Sequence, residues 1–374
     1  MIKVLHVVSN ISVGNGIMAV LMNYYRNIDR SKLQFGFVYF DERMTTYEEE
    51  IINLGGKIYK LQNARNIIPF LKSKRMLANE IKNKYQILHI HDVFLVSFFL
   101  NVKKLWGIKK VIVHSHATKF SDSSFGEIRN RILSLPNYFY PDRHFACTRD
   151  AGIYAFGKKF DSNGFILKNA IDINKFSPNE KIRNRVRKEL EVEDCFVVGH
   201  VGHFNRQKNH IFLINLFEVL CKEKQNAKLV LVSDGPYMTQ IRELCKEKKI
   251  EDKVIFLGTR NDVPDIMKAF DCFVFPSKYE GLGIVLIEAQ ACGLHCVYSD
   301  VIPKDVNIIN ENNCILNLND SYDLWIKAIL ENNSVAVDII NKRIENAGYN
   351  IKREGKNLYK IYSKIIFEED NYGL

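Results

Sequence analysis

The chain has 374 residues, a formal net charge of +10 and 47% hydrophobic content, an ordinary globular composition long enough for two domains. No apolar run approaches the ~18 residues of a membrane span, and residues 1–8 are too short for a secretory core, so a cytoplasmic protein is expected. The positive charge favours anionic partners, but there is no Arg-rich tail, helix-turn-helix, zinc-finger spacing or aromatic RNA-binding signature, and no nucleic acid is expected as a partner.

Residues 3–9 read as an apolar strand, 10–16 as a loop with Gly14 and Gly16, and 17–27 as a helix with Ala19, Val20 and Tyr24 on its apolar face. This is the first strand-loop-helix unit of a Rossmann-like domain. Gly14-Asn15-Gly16 lacks the three-glycine dinucleotide fingerprint, which argues against a nicotinamide site. Strands come next at 35–40, 57–61, 87–91, 110–114 and 144–147 with helical periodicity between them, so the sheet should be parallel.

Two of these strands end in paired histidines, His89 with His91 and His114 with His116. Each pair shares one face at a strand C-terminus, where open α/β sheets border their ligand crevice. The pattern admits a four-histidine metal site, but reads better as structural histidines with one facing the crevice. Residues 94–106, together with Lys109 and Lys110, join an apolar run to lysines and Trp106. They read either as a buried helix or as a helix resting on an anionic membrane surface.

After a polar stretch at 177–194, a strand at 196–201, the loop from Gly202 to His210 and a helix at 211–220 repeat the opening unit. A strand at 229–232 leads into Ser233-Asp234-Gly235-Pro236, and one at 254–257 into Gly258-Thr259-Arg260. Then comes a strand at 272–275, a loop holding Glu280, Gly281 and Gly283, an apolar helix at 284–292, Gly293 as its terminator and a strand at 296–298. A helix start after a glycine loop offers unpaired N–H groups and a positive dipole end, which favour phosphate. Glu280 lies before that start and Glu288 ~8 Å further along the axis. A diphosphate held there would have a sugar near Glu280 and a ribose near Glu288, whose carboxylates accept from hydroxyls. The tail from 356 to 367 places Leu358, Tyr359, Ile361, Tyr362, Ile365 and Ile366 at helical spacing.

The eight cysteines form no Cys-x-x-Cys pair and are expected as reduced structural thiols. Cys292, His295 and Cys296 fall one ligand short of a zinc set, and a glycine turn between helix and strand explains them.

The phrase from Glu280 to Ala291, Glu-Gly-Leu-Gly-Ile-Val-Leu-Ile-Glu-Ala-Gln-Ala, closely resembles the signature of retaining family-4 glycosyltransferases, two glutamates separated by seven residues. The resemblance implies an α/β protein of the GT-B fold, two Rossmann-like domains facing a central cleft with a C-terminal helix crossing back. The domains would be 1–168 with the crossing helix 356–374, and 169–355. It assigns Glu280 to the donor sugar, Glu288 to the nucleotide ribose, and the amides of Gly281, Leu282, Gly283 and Ile284 to the phosphates. Lys208 matches the family lysine on the donor diphosphate; His203 stands where an Arg is usual, and Arg206 is near enough to serve instead. Gly16 falls in the glycine loop near the acceptor cleft, Gly235 in a Gly-x-Gly-Pro turn with Ser233 replacing the first glycine, and Arg260 where the base is cradled. His116 aligns with a cleft histidine that bonds the donor sugar or phosphate, with His114 second. Lys168 and Ala170 depart from the usual interdomain Pro-Asn-Gly.

The resemblance further implies retaining transfer from a nucleotide-diphosphate sugar, UDP favoured, to a saccharide acceptor, lipid-linked, in bacterial surface polysaccharide synthesis at the inner face of the cell membrane. No Asp-x-Asp motif is present, and neither a metal nor another cofactor is expected. Two carboxylates also suit a glycosidase, but Glu288 sits in an apolar helix behind a phosphate-type loop. A catalytically silent scaffold of the same fold is the other alternative.

Overall fold

The computed structural model describes residues 1–41, 45–121, 123–331 and 335–367. The chain forms two compact units, Met1–Ala170 together with the stretch that begins at Ile351, and Ile171–Asn350. The expected change-over after residue 168 falls just short of this one. The Ile171 N–H donates to the Tyr349 carbonyl at 2.9 Å and Ile171 bridges Asn350, which fastens both crossings into the second unit.

The first unit is an all-parallel sheet in the order β3-β2-β1-β4-β5-β6-β7. Its strands are β1 Ile2–Val7, β2 Leu33–Tyr39, β3 Lys57–Lys60, β4 Ile87–Ile90, β5 Lys110–Ser115, β6 Arg143–Ala146 and β7 Gly164–Ile166. β7 lies where the sequence suggests only a crossing, and its three residues are too few to carry a period. The helix Gly16–Asn27 starts because Asn15 accepts from the N–H groups of Ile17 and Met18, and its buried face includes Met18, Leu21, Tyr24 and Tyr25.

The closing helix Ile351–Phe367 starts five residues before the predicted tail and packs on that first helix, burying Leu358, Tyr362 and Ile365 of the predicted stripe and Ile351 ahead of it. Gly355 permits the approach, since a Cβ there would lie 2.8 Å from the Asn27 carbonyl oxygen.

The membrane reading of residues 94–106 fails. The segment is broken into a 3₁₀ turn, Val93–Phe98, and a short helix, Val102–Trp106, ended by Gly107 at φ +68°. Leu95, Val96, Phe99, Val102 and Trp106 are buried, Trp106 Nε1 donates to the Lys74 carbonyl at 3.1 Å, and Asp142 holds Lys103 at 2.8 Å. An interfacial helix must keep its apolar stripe outward, and this one is turned inward.

The second unit repeats the plan with β8 Phe196–Val201, β9 Ala227–Val232, β10 Val254–Gly258, β11 Cys272–Phe275, β12 His295–Ser299 and β13 Asn313–Leu316. The order is β10-β9-β8-β11-β12-β13, again all parallel. The edge strand β13 leaves no mark in the sequence, because its half-buried residues show no clear alternation. The helix His210–Glu223 lays Leu213, Leu216, Phe217 and Leu220 against Val198, Leu229, Leu231 and Trp325. Each such side chain contributes about 1.5–3 kcal/mol by leaving water. All eight cysteines are free thiols. Among the described residues no helix is long and apolar enough to cross a membrane.

Candidate functional site

In the second unit the strand order reverses between β8 and β11, so the loops leaving their C-terminal ends lie side by side. Backbone and amide bonds lace them together. The Gln207 carbonyl accepts from Lys278 N–H at 2.8 Å, Gln207 Nε2 donates to the Tyr279 carbonyl at 3.0 Å, and Asn209 Nδ2 to that of Pro276 at 3.1 Å. Asn209 sits in the left-handed region at φ +57°, a conformation Asn tolerates better than most, immediately before the helix His210–Glu223.

This lacing brings Lys208 onto Glu280, Nζ to Oε1 at 2.6 Å, with the side chains only 14% and 7% exposed. Lys208 Nζ also stands 4.6 Å from the centre of the Phe275 ring. The sequence singles out the two charges but not the framework that aims them: Asn205, which accepts the Lys208 N–H at 3.0 Å, Gln207, Asn209 and Phe275. The only sequence signal for it is the run of amide side chains between Gly202 and the helix.

Gly281 and Leu282 lead to Gly283, whose φ of +84° opens the helix Ile284–Ala291. No side chain caps that start, so its first N–H groups are left for a ligand. Glu288 is half-buried in the apolar helix, and burial pushes its carboxyl up to about 7. Gln290, in the last turn, accepts from the N–H groups of Ile308 and Ile309 and fixes the helix.

The remaining predicted residues differ in how far the structure engages them. Gly235, at φ +157°, is required by packing, since a Cβ would lie 2.5 Å from the Phe204 carbonyl oxygen. The Phe204 N–H donates to the Asp234 carbonyl, so this turn and the Gly202 loop are one piece. His203 and Arg206 are exposed on that loop. Arg260, expected to stack on a base, is instead forked onto Asp262 at 2.8 and 2.7 Å. Both partners are well exposed, and such surface pairs are worth under about 1 kcal/mol, so the guanidinium is easily released.

Gly16 and His116 belong to the first unit. Gly16 is exposed and a Cβ there meets nothing within 4 Å, so packing does not demand glycine. His116 is half-buried, its Nε2 2.9 Å from His91 Nδ1, and burial holds its imidazole neutral, down to about 3; His114 is enclosed. His116 is thus the more accessible of the two. His295 faces the carbonyls of Asn312 and Ala328 at 3.0 and 2.8 Å, which accounts for the Cys292, His295 and Cys296 cluster without a metal.

The sequence pattern of the group 1 glycosyl transferases matches residues 181–347, which lie in the second unit. EpsF of Bacillus subtilis (strain 168), named as a glycosyltransferase, is 31% identical over 379 residues, covering 99% of this chain and 98% of its own. The chain belongs to the group 1 glycosyl transferases. The Escherichia coli UDP-Gal:alpha-D-GlcNAc-diphosphoundecaprenol alpha-1,3-galactosyltransferase is 24% identical over 308 residues, 76% of this chain and 77% of that one. Among solved structures, Anabaena HepE in complex with UDP and glucose superposes with a TM-score of 0.71 at 17% identity, covering 98% of this glycosyltransferase and 96% of HepE. The two parallel Rossmann-like sheets are thus those of the GT-B fold.

Proposed function

We propose that this glycosyltransferase moves a sugar from a nucleoside diphosphate sugar, with UDP the favoured nucleotide, onto a lipid-linked saccharide during surface polysaccharide synthesis, with retention at the anomeric carbon. The observation that carries the reading is the Lys208–Glu280 pair set at the loop before an uncapped helix start, with Glu288 within the same helix. The helix N–H groups, Lys208 and Arg206 neutralise the diphosphate; a cation ~4 Å from a phosphate oxygen gains roughly 4 kcal/mol at an effective dielectric of about 20. Glu280 takes donor sugar hydroxyls and Glu288 those of the ribose. Retention results from attack on the face the phosphate leaves, with the leaving phosphate taking the acceptor proton. The E. coli relative, named for UDP-Gal and a diphosphoundecaprenol acceptor, and HepE, crystallised with UDP and glucose, support the substrate classes.

A thermal-shift screen of nucleotide sugars combined with NMR of the product tests this. The expected result is stabilisation by a uridine donor and an α-linked product from an α-linked donor. An inverted product overturns the mechanism, and stabilisation by no nucleotide overturns the donor site. Because protein cations and amides carry the diphosphate charge, transfer should keep its full rate in excess EDTA; an absolute need for added Mn or Mg would count against that role.

A membrane-facing surface is favoured by a different segment from the one the sequence suggests. The helix Ser124–Leu133 turns Phe125, Ile128 and Ile132 outward at 78%, 62% and 60% exposure, Phe139 beyond it is 76% exposed, and Arg129 and Arg131 are exposed beside them. Aromatic and aliphatic side chains flanked by arginines suit an anionic bilayer, each basic residue adding about 1 kcal/mol. The protein should sediment with anionic vesicles at low salt, and Phe125→Glu with Ile128→Glu should abolish it. Sedimentation that survives those changes removes this surface from consideration.

A further inference from the structure

We propose that His91, His114 and His116 form a binding site for one divalent transition ion of the zinc type. The site lies wholly in the first unit and rests on its own geometry, and it takes His116, the histidine that the family resemblance assigns to the donor.

Five histidines gather at the C-terminal ends of the central strands. His6 on β1 is in register with His89 on β4, and continuing the β4–β5 register beyond Ile90 and Val113 sets His91 against His114. Together with Tyr362 and apolar neighbours such as Leu21, Phe35 and Leu358 they border a space of about 10 Å³, about the size of one water. His114 is the informative member. It is 1% exposed, and neither of its ring nitrogens has a hydrogen-bond partner. Native interiors seldom leave both nitrogens of an imidazole unanswered.

One nitrogen from each of His91, His114 and His116 falls within 4.8 Å of the others. His91 Nδ1 and His116 Nε2 are already 2.9 Å apart. Tetrahedral zinc with bonds of about 2.0–2.1 Å sets its nitrogens roughly 3.3 Å apart, so that pair opens by a few tenths of an ångström while His114 swings inward. The remaining His91 nitrogen, Nε2, then keeps its proton and donates to His6 Nδ1 at 2.9 Å. A metal-bound imidazole is ordinarily steadied by such an outer hydrogen bond.

His6, His89 and His91 also cluster, but all three are buried and His89 Nδ1 is engaged by the Tyr362 hydroxyl at 2.8 Å. Since His91 belongs to both triads, a single ion is accommodated, and the half-buried His116 gives the outer triad its way in from solvent. Three neutral imidazoles leave a fourth position for water or an anion and suit Zn, Co, Ni or Cu over Mg or Ca.

Tag-free protein, stripped with EDTA and exchanged into clean buffer, is titrated with Co²⁺ and then Zn²⁺. The expected result is a visible ligand-field band of tetrahedral intensity that saturates at one Co²⁺ per chain and is displaced by Zn²⁺. His116→Ala, at a half-exposed position that tolerates truncation, should weaken binding by at least about 100-fold, and His6→Phe by about 10–100-fold through loss of the outer hydrogen bond. His114→Phe should abolish the band, its fold checked by melting. Absence of a saturable band, or a band unchanged in His116→Ala, overturns the proposal and leaves the space to a buried water.

Discussion

Replacing Lys208 by Met should slow sugar transfer by about 10²–10³-fold, the usual cost of removing one preorganised charge from a site where negative charge develops. The same change should destabilise the second unit by about 3 kcal/mol. Glu280, 7% exposed, would lose its cationic partner, and breaking a buried ion pair by removing one charge costs more than the intact pair contributes. Glu280→Gln should reduce turnover more than nucleotide affinity. Combining the two changes should recover most of the stability and none of the activity, since the double variant leaves neither charge of the pair behind. Urea unfolding and steady-state transfer of the four proteins form the cycle. If Lys208→Met unfolds like the parent, the pair is not the buried contact its geometry indicates. If it also transfers normally, the diphosphate role is gone.

Glu288→Gln should have opposite effects on stability and on binding. The Glu288 carboxyl, about 4.5 when unfolded, is raised to about 7 by burial, so the fold holds its proton more tightly than the unfolded chain does. Stability from this group is complete below about pH 4.5, falls as the pH rises towards 7 and is flat above it. The loss is about 3 kcal/mol, from 1.36 kcal/mol per unit. Glutamine carries no proton to lose, so the variant should match the parent near pH 4.5 and exceed it by up to about 3 kcal/mol at pH 8. Its affinity for UDP should fall by roughly 1.5–3 kcal/mol, the value of hydrogen bonds to a charged group. In the parent, affinity should improve as the pH passes through 7 and the carboxylate forms. Titration calorimetry settles the ribose assignment, which an undiminished UDP affinity in Glu288→Gln would refute.

Much of the architecture is legible because buried parallel strands are written as apolar runs, and those at β1, β2, β8 and β11 are nearly uninterrupted. The edge strands β7 and β13 are not, since an edge is half-solvated and its length is set by a neighbour rather than by its own residues. Residues 94–106 show a related limit. Apolar content says that a segment will be covered, but whether by protein or lipid depends on tertiary partners such as Lys74 and Asp142, which lie at distant positions in the chain. At the site, Glu280, Lys208 and Glu288 stand out because their spacing is local or their motif is distinctive. Their pairing does not, because the contact spans seventy-two positions and rests on amides that a linear reading treats as ordinary loop. Arg260 shows the converse: its partner Asp262 is two residues away, and the exposed fork they form is one that a linear reading passes over and a ligand can displace.

The closing helix also sets an order of events during synthesis. Its glycine contact with Asn27 and the bond from Tyr362 to His89 complete a unit whose other residues left the ribosome long before. At about 5–20 residues per second the stretch 171–350 takes roughly ten to thirty-five seconds to emerge, and being contiguous it can finish folding before the first unit is whole. A stop codon near position 350 would therefore spare the later-made half and cripple the earlier one, leaving Leu21 and Tyr24 of an already translated helix without a cover.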